Sequence, residues 1–344
     1  MSVRRLLILL VAINAALFAG GWLFVPAPAP KAGAGVRVGI VFDVGGKNDK
    51  SFNEQAYNGL RLAERELGVV GTFIEPTEGV PRETALRALA ARTGDDKLDL
   101  VVGVGWVFSS DLERLAQLFP DVNFAGVDYA PSSGAGTLPN LVGLRFREHE
   151  GSFLVGAAAG LATHTKVVGF VGGMQIPLIK KFEVGYRAGV AHVCPDCRVL
   201  AAYAGSDPRA FSNPPLGQQL AGAMYDDDAD IIYHASGKTG DGVFAAARRR
   251  GQRAIGVDSD QFAIAPCCVM TSMVKRVDLA IVDLVREVIA KKFRGGMREL
   301  GLAEQRVGFV ADEHNRLLLP PAVVNKVRAL SDEIIAGKIQ VPWQ

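Results

Sequence analysis

The strand and helix pattern of this sequence predicts an α/β protein made of two doubly wound parallel-sheet lobes. From Val36 onward, short apolar strand segments alternate with longer helix segments, the mark of a parallel sheet covered on both faces. The alternation restarts part-way: strand 166–171 ends in Gly172-Gly173, much as strand 36–42 runs on to Gly45-Gly46. The chain has 344 residues, enough for two cores, since a single core rarely grows beyond about 250–300.

Strand 36–42 ends at Asp43, and Gly45-Gly46 permit a tight turn into helix 53–67. Asn48, Asp49 and Ser51 offer N-cap oxygens to that helix. Strand 70–75 precedes helix 81–92, strand 98–103 feeds helix 111–119, and strand 123–128 ends in another acid, Asp128. Segment 141–145 is the last extended piece of this lobe. Helix 149–162 opens the second half, its Gly151, Gly156 and Gly160 permitting close packing. Strands 166–171, 198–203, 231–234 and 253–257 then alternate with helices 179–193, 215–225 and 241–250. Segment 269–294 reads as a strand and a strongly apolar helix over 279–289, followed by a strand near 305–310 and helix 321–335. Crossings between lobes are expected near 145–150, 260–266 and 294–304. The first lobe is then 36–148, with about 266–294 returning to it, and the second is 149–265 with about 304–344. Ligands of open α/β sheets bind beyond the carboxyl ends of the strands, and pockets favour domain interfaces, so the cleft is expected between the lobes.

Residues 1–35 stand apart from this fold. Arg4 and Arg5 precede an uncharged apolar run, 6–25, and then the Pro/Ala/Gly stretch PAPAPKAGAG. That is the outline of an export signal. Cleavage near Ala32-Gly33-Ala34 and retention as a membrane anchor both fit the segment, because about 20 apolar residues span a bilayer. No Cys lies near the end of the run to carry a lipid. In both cases the body is exported, and an oxidising compartment makes disulfides the default. Cys194-Pro-Asp-Cys197 sits in the order helix, loop, strand, the reverse of what a thioredoxin-like redox motif needs, so a local Cys194–Cys197 disulfide is expected. Cys267-Cys268 fits a vicinal bridge and a pair of buried thiols alike, and the two distant pairs without His spacing make a poor zinc site.

The net charge of +2 is the difference between 38 basic and 36 acidic residues, which argues against nucleic acid as a partner. The one basic run, Arg248 to Arg250, complements the dipole at a helix end. The five His are scattered, no H-E-x-x-H or G-x-S-x-G pattern occurs, and Asp258 and Asp260 lack an obvious third acid, so an enzyme is not expected. SGKTGDG lacks the spacing of a phosphate loop.

Between Ile40 and Leu60 the chain reads IVFDVGGKNDKSFNEQAYNGL. This resembles the N-terminal signature of the basic membrane protein (BMP/PnrA-like) family, nucleoside-binding receptors of ABC importers, commonly written D-x-G-G-x-x-D-x-S-F-N. Asp43, Gly45, Gly46, Asp49, Ser51, Phe52 and Asn53 all match. NFAGVD at 123–128 resembles the family's strand ending in Asp, and Lys181-Phe182-Glu183 with Gly185 and Gly189 resembles its F-x-x-G-x-x-x-G helix. Segment 235–242 resembles its Gly-rich loop, while GVDSDQ at 256–261 and TSMVK at 271–275 resemble G-V-D-x-D-Q and T-S-x-x-K. The resemblance covers about 36–343. It implies a periplasmic-binding-protein-like (type I) receptor that is monomeric, uses no cofactor or metal, and hands a purine nucleoside to an ABC permease.

The chemistry of the matched residues suits such a ligand. Phe52 and Phe182 come from different lobes and would sandwich a flat base, each stacking contact being worth ~1–3 kcal/mol. Asp128 would accept from the base edge. Asp258 would take the ribose hydroxyls, and Lys275 would donate to the sugar while neutralising Asp43 and Asp258. Asn53 and the backbone N–H of Gly240 are further ribose candidates. Trp106 fits both a pocket wall and the core. Lys238 and Asp241 depart from the smaller or neutral residues of the family's loop. A receptor for a sugar or signal molecule, and a membrane-anchored sensor, are the alternative readings of the same cleft.

Overall fold

A computed structural model describes residues 33, 35–75, 77, 80–132 and 136–344. The export or anchor segment expected over 6–25 lies outside the described residues. Among those described, no helix is long and apolar enough to cross a membrane.

The first lobe is built from β1 (Arg37–Val41), α1 (Phe52–Leu67), β2 (Val70–Ile74), α2 (Arg82–Ala90), β3 (Leu100–Val104), α3 (Ser109–Leu118), β4 (Asn123–Val127) and β5 (Leu141–Phe146). The second follows with α4 (Glu148–Ala162), β6 (Val167–Met174), α5 (Pro177–Val193), β7 (Arg198–Gly205), α6 (Pro214–Asp226), β8 (Ile231–Ala235), α7 (Gly240–Arg250), β9 (Arg253–Asp258) and β10 (Val269–Lys275). After these come α8 (Val277–Ile289), β11 (Gly296–Leu300), β12 (Val307–Phe309) and α9 (Pro321–Ile335).

Among the described residues the strands form two six-stranded sheets, in the orders β11-β5-β4-β3-β1-β2 and β12-β10-β9-β8-β6-β7. One order maps onto the other strand for strand, so β4 of the first lobe corresponds to β9 of the second. All the pairings are parallel except that of β12 with β10. Continuous burial of β3, β8 and most of β1 and β4 explains why these strands read as largely apolar runs. Helices α4 and α5 pack closely because residue 156 is Gly: a Cβ there would lie 2.2 Å from the Tyr186 carbonyl oxygen.

The path between the lobes departs from the sequence reading at one crossing. Segment 260–266 stays in the second lobe, joining β9 to β10, which pair side by side. The chain crosses instead after Lys275, into α8, which packs on α1 of the first lobe. Of the expected return 266–294, the strand therefore belongs to the second sheet and only the helix to the first lobe. Strand β11 was not expected. It lies within the anticipated crossing 294–304 and pairs with β5 at the sheet edge. Its alternating exposure, with Met297 45% exposed, hides it from a search for apolar runs.

Cys194 is bonded to Cys197 and Cys267 to Cys268.

Candidate functional site

The carboxyl ends of both sheets face each other across a cavity. Asp43, Phe52, Asn53, Trp106 and Asp128 line it from the first lobe, and Phe182, Phe211, Gly237, Asp258 and Lys275 from the second. Asp128 and Asp258 hold equivalent posts, each just at the end of its strand, β4 or β9, and each with a left-handed backbone at φ 58° and 65°. Asp tolerates that conformation better than most residues, and non-Gly left-handed residues concentrate at functional sites.

Lys275, at the end of β10, is only 1% exposed. Its Nζ donates to both Asp128 oxygens, at 2.6 and 2.7 Å, and lies 3.0 Å from Glu148 Oε1, an ion pair not aligned as a hydrogen bond. Glu148 is fully buried and also meets Lys181 Nζ at 3.4 Å. The Lys275 ammonium sits 4.9 Å from the Phe146 ring centre, 5.0 Å from Phe52 and 5.8 Å from Phe182, within cation–π range of all three. Burial alone would lower the Lys275 pKa. The carboxylates of Asp128, Glu148 and Asp258 more than reverse this and hold it above the ordinary lysine range.

The acids respond to the same environment. Burial raises Asp128, with Lys275 pulling it down and Glu148 pushing it up. Burial pushes Asp258 up to about 6, against the pull of Lys275 and of the Ser51 hydroxyl, which donates to Asp258 Oδ2 at 2.5 Å. Asp43 is raised by burial too, countered by the Val44 N–H and by Arg82, whose Nε lies 3.9 Å away. The cation near Asp43 is thus Arg82. The direct ion pairs of Lys275 are with Asp128 and Glu148, where the sequence reading gave it Asp43 and Asp258. Glu148 lies in the crossing RFREHE, where its sequence neighbours give no sign of its burial.

Asn53 borders the cavity but is engaged in the loop. Its Oδ1 accepts from the Asp43 N–H and its Nδ2 donates to Asp49 and the Val44 carbonyl. Asp49 caps α1 by accepting from the N–H groups of Ser51, Asn53 and Glu54. Gly240 does not line the cavity. A Cβ at that position would lie 2.0 Å from the His234 ring, so its small size serves His234, and the glycine at the cavity wall is Gly237. Trp106 takes the wall position, and Asp128, Trp106 and Leu178 also border a second cavity alongside.

Residues 36–344 match the family Bmp, described as ABC transporter substrate-binding protein PnrA-like. The chain belongs to the Bmp family. Among Bmp relatives, basic membrane protein A of Borreliella burgdorferi is 33% identical over 314 residues, 89% of this chain and 87% of the relative. The CD4+ T-cell-stimulating antigen of Listeria monocytogenes is 34% identical over 334 residues, covering 91% and 89%. The solved ABC transporter solute-binding protein of Aeropyrum pernix superposes with a TM-score of 0.78 at 30% identity, over 90% of this chain and 94% of that one. Bmp proteins are solute-binding receptors, not enzymes, and the Bmp cleft described above has the two-lobed architecture of such a receptor.

Proposed function

We propose that this Bmp protein captures purine nucleosides outside the cytoplasmic membrane and delivers them to an ABC permease. One observation carries the reading: Phe52 and Phe182, from opposite lobes, border the same cavity as Asp128, Asp258 and Lys275. Two rings on separate lobes suit a flat base that becomes enclosed as the lobes close, since every base offers two π-faces. Asp128 serves the base edge and Asp258 the ribose, with the Lys275 ammonium balancing their charge. Gly237, in place of Gly240, supplies the close backbone approach. The apolar segment 6–25 takes the protein across the membrane, and the receptor works as a monomer.

The test is calorimetric titration of adenosine, guanosine, inosine, cytidine and ribose into ligand-stripped protein. A purine nucleoside should bind well below roughly 100 μM, with ribose far weaker. Failure of every nucleoside to reach that affinity overturns the reading.

Affinity should also depend on pH. With its pKa at about 6, Asp258 is a carboxylate at neutral pH and takes up a proton as the pH falls through that value. A protonated Asp258 loses acceptor capacity for ribose hydroxyls, so nucleoside affinity should weaken below about pH 6. Asp258→Asn should bind more weakly at neutral pH and lose that part of the pH dependence. Titrations at about pH 5 and pH 7.5 check both, and a wild-type affinity equal at the two values contradicts the assignment.

A further inference from the structure

Besides the bonds of Lys275 to Asp128, the two lobes touch directly through further hydrogen bonds, two of which converge on one backbone carbonyl. Lys50, in the loop between β1 and α1, has a left-handed backbone at φ 53°. Its carbonyl accepts from the Ser259 hydroxyl at 2.7 Å and from Gln261 Nε2 at 2.9 Å, both of the second lobe. The next residue, Ser51, donates to Asp258 across the same gap. The four N–H groups that Asp49 collects from Ser51, Asn53 (backbone and side chain) and Glu54 fix the loop that presents this carbonyl.

Gln261 is the stiff side of this contact. It is 2% exposed, its Oε1 accepts from the Val257 N–H at 2.8 Å, and its own N–H donates to Ser272 Oγ at 3.1 Å. Because Oε1 is the acceptor there, His234 Nε2, 3.0 Å away, must carry the proton. His234 Nδ1 is then free to accept from Ser236 at 3.3 Å. Burial lowers the His234 pKa to about 4, which keeps this neutral form at physiological pH. Two glycines make room for the network. A Cβ at residue 256 would meet Gln261 Oε1 at 2.7 Å, and one at Gly240 would strike the His234 ring. The amide of Gln261 is therefore held in a single orientation, with its donor aimed at the other lobe.

We propose that Gln261, with Ser259 and Ser51, forms a clasp that sets the closing equilibrium of the cleft, making Gln261 a positioning residue and not a ligand contact. The clasp favours closure in the empty protein and slows release of whatever the cleft holds. Each hydrogen bond of this kind shifts an equilibrium about two- to tenfold. Ser51→Ala/Ser259→Ala leaves the His234 network intact and should move the ligand-free protein toward an open form, seen as a larger radius of gyration in small-angle X-ray scattering. Gln261→Glu keeps the side-chain shape but replaces the donor to Lys50 with an acceptor, and should open the cleft further. Its thermal midpoint, set beside that of the double variant, separates damage to the lobe from loss of the clasp. With adenosine as the probe, dissociation of the double variant should be about tenfold faster while association does not slow. The scattering arm needs no ligand, so it stands even if the nucleoside reading fails. Equal radii of gyration for the ligand-free wild type and double variant overturn the clasp, and so does an increase confined to a Gln261→Glu protein whose midpoint has collapsed.

Discussion

Replacing Lys275 with methionine is expected to destabilise the closed protein by about 3–5 kcal/mol, the range seen when one partner of a buried ion pair is removed. The side chain is 1% exposed, and its ammonium lies among Asp128, Glu148 and Asp258. Methionine fills much of the volume and packs well against Phe52, Phe146 and Phe182, so the loss is electrostatic, not a cavity. Among the described residues, Glu148 would retain Lys181 alone and Asp128 no direct cation. The site lies between lobes, which bounds the penalty: opening the cleft rehydrates the acids. The variant should therefore show both a lower thermal midpoint and a more open ligand-free form. At about 2–4 °C per kcal/mol for a domain of this size, a midpoint lowered by roughly 6 °C or more is expected. Adding Asp128→Asn and Glu148→Gln should recover much of the loss by removing the stranded charges. A Lys275→Met protein with wild-type midpoint and radius of gyration would contradict this account of the cluster.

That cluster also marks where sequence reasoning stops. The strands were legible because β1, β3, β4 and β8 are mostly apolar, and the repeat was legible because a Gly-Gly pair follows β1 and another falls near the end of β6. Asp43, Phe52, Asp128, Phe182, Asp258 and Lys275 were legible through their motifs, and all of them line one cavity. Partners were not. Charge pairing across 147 residues, as between Asp128 and Lys275, has no local signature, and Glu148 looks like any polar residue at a helix start. Gly240 shows the same limit: a required glycine signals close approach without naming what approaches, and here it is His234. Edge strand β11 and the crossing after Lys275 were missed because burial on one face only, or a break of one residue between strand and helix, leaves no pause in the pattern.

Truncating the Phe182 ring is expected to cost purine nucleosides about ten- to a hundredfold in affinity, the equivalent of ~1–3 kcal/mol of stacking. The residue is 3% exposed and belongs to the main hydrophobic cluster as well as to the cavity wall, so Phe182→Ala alone would confuse lost stacking with lost packing. Phe182→Leu separates them. Leucine keeps apolar volume and most of the burial but has no π-face, so its thermal midpoint should stay near wild type while affinity falls. Phe182→Tyr restores a ring and should recover binding wherever its hydroxyl finds room. Loss of the ring also removes one of the three aromatic faces around Lys275, a minor term beside the ion pairs with Asp128 and Glu148. Ribose offers no base to stack, so its weak binding should be the same in wild type and Phe182→Leu. Calorimetry with adenosine and ribose on the three variants gives the comparison. Wild-type adenosine affinity in a folded Phe182→Leu protein would mean that the base, if it binds, lies somewhere other than between the two rings.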